Sequence, residues 1–280
     1  MTLRDAHTHL HFPSLTKVGE EAWAAARNAG VVAAVVNGTC EEDWGTVRDW
    51  VVAHPGCRAA FGIHPWQAAG RSADWKAGLR RFLENDPSAT VGEIGLDHWV
   101  KDHDATDQKV LFLEQWELAR ELGRAATVHC VRAFEPLRQC LQHLPPAVPG
   151  FLLHAYSGPV ELIPFFVEKG AYFSYSPYFL AERKRPQREA FKSMPRERIL
   201  LETDSPELAP PSELNPWPLT DPATGSALNH PANLLTACES LAEVFGCPAA
   251  EVAELTTANW LRLFESSSVG VGSGSGSGSG

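Results

Sequence analysis

The 280 residues are 44% hydrophobic and 21% charged, which suits a folded globular chain with a sizeable core and excludes a disordered or fibrous one. Lys and Arg number 24 against 34 Asp and Glu, a formal charge of −10, so no global positive field draws the chain toward nucleic acid or an anionic membrane. No stretch is long and apolar enough to span a bilayer, and MTLRDAHTHL lacks a signal-peptide apolar region, so the expected address is the cytoplasm.

Short runs rich in Val, Ala and Ile alternate with longer segments of helical spacing, the rhythm of βα units around a parallel sheet. Strands are expected at 3–7, 31–36, 57–63, 89–94, 125–129, 149–154, 171–174 and 198–204. Helices are expected at 17–29, 41–53, 74–84, 106–122, 134–143, 160–168, 184–193, 231–245 and 249–264. In the clearest of these, Thr106 or Asp107 is the expected cap, Leu111, Gln115, Leu118 and Leu122 follow helical spacing, and Gly123 stops the helix. The Pro-rich span 206–222 is read as a long loop after the eighth strand. Eight strands with intervening helices fit a single-domain α/β fold, a (β/α)8 TIM-type barrel over residues 1–265. The absence of GxGxxG after the first strand argues against a dinucleotide cofactor, and no organic cofactor is expected. The run at 266–280 alternates Gly and Ser and reads as a flexible tail. Six cysteines (Cys40, Cys57, Cys130, Cys140, Cys238 and Cys247) form no CxxC pair and are expected as reduced, mostly buried thiols.

The first strand ends in DAHTHLH. Alternate strand residues share a face, so His7 and His9 project together and Asp5 lies one step deeper, supporting them. Imidazole nitrogens suit zinc and neighbouring transition metals. His11 shares the parity but follows the strand end, and is read as a loop residue near the pocket mouth. Glu93, His129, His154 and Asp204 also fall at ends of expected strands, and a parallel barrel gathers all such ends on one face. Individually each has an ordinary reading as a core histidine or a helix cap; together the six make a ligand set for two divalent ions, with Glu93 able to bridge. Glu202, two residues before Asp204, shares its inward face and is either a further active-site carboxylate or a buried partner of an arginine.

The segments DAHTHL, FGIHP, VGEIGLD, HAYSG, LLETDSP, NHPANL and TTANWLRLF occur in the order seen in the TatD-like metal-dependent hydrolases of the amidohydrolase superfamily, and the resemblance covers about residues 4–264. It implies a (β/α)8 barrel, two divalent metals and hydrolysis of phosphodiesters, with DNA as the substrate class. It implies His7, His9, Glu93, His129, His154 and Asp204 as metal ligands, His64 as a phosphate contact and Glu202 as an active-site carboxylate. The chain departs from the family pattern at His98, where a Tyr is usual, at HAYSG for HCFSG, at His230 for Glu, and in DPATGSALNHP, which lacks a basic residue common there. The last of these departures removes a cation of the kind that phosphate binding uses.

The reading is therefore a hydrolase in which a metal-activated water loses its proton to Asp204 and attacks phosphorus, with His64 offsetting charge on the phosphoryl oxygens. Trp66, His98 and Trp99 join His64 as expected substrate contacts, the two indoles by stacking on a base. Mixed nitrogen and oxygen donors favour Zn²⁺, Mn²⁺, Fe²⁺ or Co²⁺ over Ca²⁺, and the resemblance adds Mg²⁺. Two alternatives stay open: a metal-dependent esterase, amidase or deacylase on a small or RNA-linked substrate, and a metal-stabilised binding or scaffold protein without turnover. The basic run at 181–188 is read as a solvated helix face.

Overall fold

Each apolar run becomes a strand and each periodic segment a helix. A computed structural model describes residues 1–101, 104–147 and 149–265, and the tail expected at 266–280 lies outside them. The strands are β1 (Leu3–Thr8), β2 (Val31–Asn37), β3 (Arg58–Phe61), β4 (Thr90–Asp97), β5 (Ala126–Val131), β6 (Phe151–Leu153), β7 (Ala171–Tyr175) and β8 (Ile199–Leu201). They close in sequence order into a barrel, all neighbours parallel, with β1 meeting β8 at Asp5 and Leu201. Such closure leaves no strand edge open and is the (β/α)8 architecture. Around it run α1 (Gly19–Asn28), α2 (Trp44–Ala53), α3 (Trp75–Asn85), α4 (Ala105–Glu121), α5 (Phe134–Leu141), α6 (Ile163–Glu168), α7 (Arg185–Ala190), α8 (Asn233–Phe245) and α9 (Ala249–Phe264).

The barrel strands are apolar almost throughout because both faces are covered, one by the barrel interior and one by helices. Helix α9 seals one side: Trp260, Leu263 and Phe264 pack with Ala6, Ala33, Tyr172 and Leu200, and the Trp260 indole N–H donates to the Asp5 carbonyl at 3.2 Å. Helix α4 carries two buried glutamines that bind the strand ends. The Gln115 amide accepts from Ile63 N (2.7 Å) and donates to Ile63 O (3.1 Å), while Gln108 accepts from Asp97 N at 2.9 Å. Polar side chains in a helix core thus satisfy backbone groups where β3 and β4 leave the sheet.

Four expectations change. Helix α4 is capped by Asp104, not Thr106 or Asp107: its carboxylate accepts from both of their backbone N–H groups at 2.9 Å, the arrangement that satisfies the first free donors of a helix. Strand β4 runs on to Asp97, so Glu93 sits inside a strand rather than at its end. The span 206–222 is not all loop, since β9 (Pro218–Thr220) pairs antiparallel with β10 (Ala227–Asn229). Their turn is held by Asp221, whose side chain accepts from Ala223 N and Thr224 Oγ1, each at 2.8 Å, an Asx-type turn. The basic run at 181–188 is only partly a solvated helix. Arg188 is tied to the Phe179 and Leu180 carbonyls at 2.8 and 3.0 Å, and Arg183 donates to the Tyr178 hydroxyl at 2.7 Å. Among the described residues no helix is long and apolar enough to cross a membrane, and all six cysteines are free thiols.

Candidate metal centre at the mouth of the barrel

Glu93 is placed by its neighbours on β4. A Cβ on Gly92 would collide with the Thr127 side chain, and Gly95, at φ +150°, would drive one into the His129 backbone. Only glycine permits β4 to approach β5 this closely. The β4–β5 register shifts between Val91 and Ile94, and Glu93 lies at that irregularity with its N–H bonded to the Gly38 carbonyl at 2.8 Å. Its carboxylate divides the surrounding donors into two groups. Oε2 lies 3.4 Å from His7 Nε2 and 3.3 Å from His9 Nε2; Oε1 lies 2.9 Å from His129 Nδ1 and 3.0 Å from His154 Nε2. Asp204 Oδ1 completes the first group, 3.6 Å from His7 Nε2 and 3.4 Å from His9 Nε2.

Asp204 reaches that position because the chain leaves β8 early and turns. Its φ is +58°, a left-handed conformation that aspartate tolerates better than most residues. Its N–H bonds the His7 carbonyl at 2.9 Å, tying it to β1. Asp5, below, accepts from His7 N and Thr203 N, each at 3.1 Å, and pairs with Thr203 Oγ1 at 2.5 Å. It braces β1 against β8 and does not touch the imidazoles. Burial raises the Asp5 carboxyl to about 8, against the lowering effect of those hydrogen bonds.

Two rings are oriented from behind by hydrogen bonds, His9 and His129, and a carboxylate stands behind a third, His154. His9 Nδ1 lies 2.7 Å from the Asn37 carbonyl, so its N–H points away and Nε2 presents a lone pair to the site. His129 Nε2 lies 2.9 Å from Asp97 Oδ2, leaving Nδ1 facing Glu93. His154 Nδ1 lies 3.8 Å from Glu202 Oε1, and Glu202 Oε2 accepts from Ser174 Oγ at 2.5 Å. Among the described residues Glu202 pairs with no arginine. Ligating histidines commonly carry such acceptors behind them.

Electrostatics separate the rings. Burial opposes charge on all of them, but Asp204 and Glu93 lift His9 to about 10; Glu93 and Glu202 lift His154 well above its usual value. His7 is lowered by burial and by His154. Glu93 and Asp204 would be raised by burial, yet the surrounding imidazoles hold both below the ordinary carboxylate range. The carboxylates thus draw positive charge into a buried space.

A divalent cation fits this donor chemistry. Two pairs of ring nitrogens face each other, His7 and His9 at 3.3 Å and His129 and His154 at 3.1 Å, and a proton can serve only one nitrogen of a pair as donor. Within the cluster three buried atoms, His7 Nδ1, His154 Nδ1 and Glu202 Oε1, have no hydrogen-bond partner. Three donor groups are compact enough to hold an ion: His7, His9 and Asp204; His7, His154 and Glu202; and His64, Glu93 and His129.

The remaining expected residues lie around this cluster. His64 is buried, with Nε2 3.6 Å from Glu93 Oε1, and burial holds it neutral at about 3. Its Nδ1 accepts from Trp66 N at 3.2 Å, so its proton sits on Nε2. Trp66 and Trp99 are 59% and 60% exposed at the rim. The half-buried His98 donates its backbone N–H to Val131 O at 2.9 Å, and Trp217 lies over His230 with 5.6 Å between ring centroids. His11 pairs with Asp43 at 3.3 Å, apart from the donor groups.

Two contributors were missed in the sequence. Asn37 ends an apolar strand and bonds both His9, through its carbonyl, and Thr127 Oγ1, through its side chain, at 2.7 and 2.6 Å; a polar residue closing VVAAVVN was the available signal. Asp97 accepts from Trp66 Nε1 at 2.9 Å and Trp99 N at 2.6 Å as well as facing His129. Its signal was the final residue of VGEIGLD.

Comparison with known proteins finds relatives over most of the chain. The chain is 30% identical over 241 residues to a protein of Erwinia tasmaniensis named 3'-5' ssDNA/RNA exonuclease TatD, covering 85% of this chain and 90% of the relative. It is 28% identical over 264 residues to the metal-dependent hydrolase YabD of Bacillus subtilis, covering 94% and 98%. The crystal structure of the TatD homologue YjjV of Escherichia coli K12 superposes with a TM-score of 0.85 at 26% identity, covering 94% of this chain and 98% of that one. A family model described as TatD related DNase matches residues 4–265, and this metal-dependent hydrolase barrel belongs to that family.

Proposed function

We propose that the chain hydrolyses phosphodiester bonds of single-stranded nucleic acid with two divalent cations held on either side of Glu93. The observation that carries the reading is the division of the Glu93 carboxylate, one oxygen toward His7 and His9 and the other toward His129 and His154. His7, His9, Asp204 and Glu93 would hold one cation, and Glu93, His129 and His154 the other. Cations so held lower the pKa of a water and polarise a phosphoryl oxygen. The substrate class is supported by the TatD relative named as an ssDNA/RNA exonuclease. Mixed nitrogen and oxygen donors suit Zn²⁺ or Mn²⁺, with Mg²⁺ a further member of the set to test.

Asp204 is the proton acceptor. The imidazoles keep it ionised against the effect of burial, and it lies at the edge of the cluster with 10% of its side chain exposed. His64 keeps its proton on Nε2, where it donates to a phosphoryl oxygen as charge develops. That tautomer leaves Nε2 without a free lone pair, so His64 is not counted as a ligand. Glu202 stands behind His154 at 3.8 Å and favours its charged form. Trp66, His98 and Trp99 form the outer contacts for the substrate. The free thiols of the six cysteines suit a reducing compartment such as the cytoplasm.

Asp204→Asn tests the reading. Cleavage of a single-stranded oligonucleotide falls by about 10²–10⁴-fold even at saturating metal, with elemental analysis confirming that the variant is loaded. Full activity in this variant removes the proton-acceptor role. Hydrolysis of carboxylic esters or lactones without oligonucleotide cleavage, at matched Zn²⁺, Mn²⁺ or Mg²⁺, replaces the phosphodiester reading.

A further inference from the structure

We propose that Arg132 and Trp99 form a cation–indole clamp on the barrel rim that seats a nucleotide flanking the scissile phosphate of a single strand. The proposal rests on the phosphodiesterase reading above and adds to it a residue, Arg132, and a binding mode.

The clamp is built by register. Strands β4 and β5 pair Asp97 with Val131, so the residues that follow them leave the barrel side by side, and His98 N bonds Val131 O at 2.9 Å. Arg132 then adopts φ +54°, a left-handed turn uncommon outside glycine, and such conformations cluster at binding sites. The result sets its guanidinium carbon 3.8 Å from the centre of the Trp99 ring.

Three features point to a nucleic-acid strand. Arg132 is exposed and, among the described residues, forms no ion pair or hydrogen bond, although the chain carries ten more acidic than basic residues. A stacked guanidinium keeps its N–H edge free for bidentate binding of phosphate. Trp99 and Trp66 are both more than half exposed, an unusual surface for indoles, and base stacking on an aromatic ring needs an unpaired base. Asp97 joins the two to the metal centre: it accepts from the Trp66 indole and the Trp99 backbone while facing His129. The stacking surfaces are therefore held in place before substrate arrives, which lowers the entropy lost on binding. Trp66 lies 6.5 Å from the His129 ring, centroid to centroid, so a base on this rim leaves its phosphate next to the cluster.

The test is fluorescence anisotropy of a labelled, hydrolysis-resistant phosphorothioate oligothymidylate with the metal-loaded full chain. Arg132→Gln and Trp99→Leu each weaken binding by about ten-fold, with metal content and melting temperature unchanged. Arg132→Gln also reduces the slope of log affinity against log salt by about 0.7, the effect of one lost phosphate contact on a single strand. Trp99→Leu leaves that slope unchanged, and Trp99→Phe restores binding. Parental affinity and parental salt slope in Arg132→Gln overturn the clamp while leaving the metal-centre reading intact. A parent chain that neither binds the oligonucleotide nor cleaves its unmodified counterpart overturns the metal-centre reading itself.

Discussion

Asp97 shows how one carboxylate sets the properties of several neighbours. It is held at about 2, the cost of burial being outweighed by His129, Trp99 N–H and the Trp66 indole. At any working pH it is therefore an acceptor for all three. Asn in its place keeps one acceptor oxygen and turns an NH₂ donor toward other donors, so His129 loses the group that fixes its tautomer. Asp97→Asn is expected to weaken metal affinity by about 10–100-fold, measured by competition with a chromogenic chelator, and to alter Trp66 emission in the same sample. Unchanged affinity would remove the orienting role of Asp97. Asp5 is the contrasting case, a carboxyl raised to about 8 whose contacts brace two strands and do not reach a ring.

At the scale of elements, the site depends on how strands end. β3, β6 and β8 stop short of the expected 57–63, 149–154 and 198–204, and His64, His154 and Asp204 stand just beyond them; β4 runs on and carries Glu93 within it. Where a strand leaves the sheet its backbone groups lose ladder partners, and α4 supplies some of them through Gln115 and Gln108. Gln115→Leu keeps the helix and its apolar spacing but strands the Ile63 N–H and C=O. Each buried unsatisfied group costs about 1–3 kcal/mol, so urea unfolding should show a loss of about 2–5 kcal/mol, with cleavage also reduced because Ile63 precedes His64. A stability within about 0.5 kcal/mol of the parent would mean that water replaces the glutamine.

For the whole molecule, the cluster sets imidazoles against carboxylates in a buried space where protons and a metal cation compete for the same donors. His9 and His154 are pulled up by carboxylates, so at neutral pH the metal-free site holds protons that metal binding must displace. Metal uptake should release protons in weakly buffered solution, and metal affinity should fall as pH falls. Chelation should lower the melting temperature, since a ligand at about 100 times its Kd adds about 2.7 kcal/mol. Uptake without proton release would show that the rings are neutral before metal arrives.

Much of this was legible in the sequence. Chain-local physics suffices for the alternation of apolar runs and periodic segments, because burial on two faces and on one face leave different spacings. It suffices as well for the HxH of β1, where the period of a strand puts His7 and His9 together. Left to the tertiary structure were the groups behind the ligands and the stacking of Arg132 on Trp99. Those depend on register between β4 and β5 and on single residues turning at positive φ. Neither leaves a periodic trace along the chain, because each is decided by contact between residues distant in sequence.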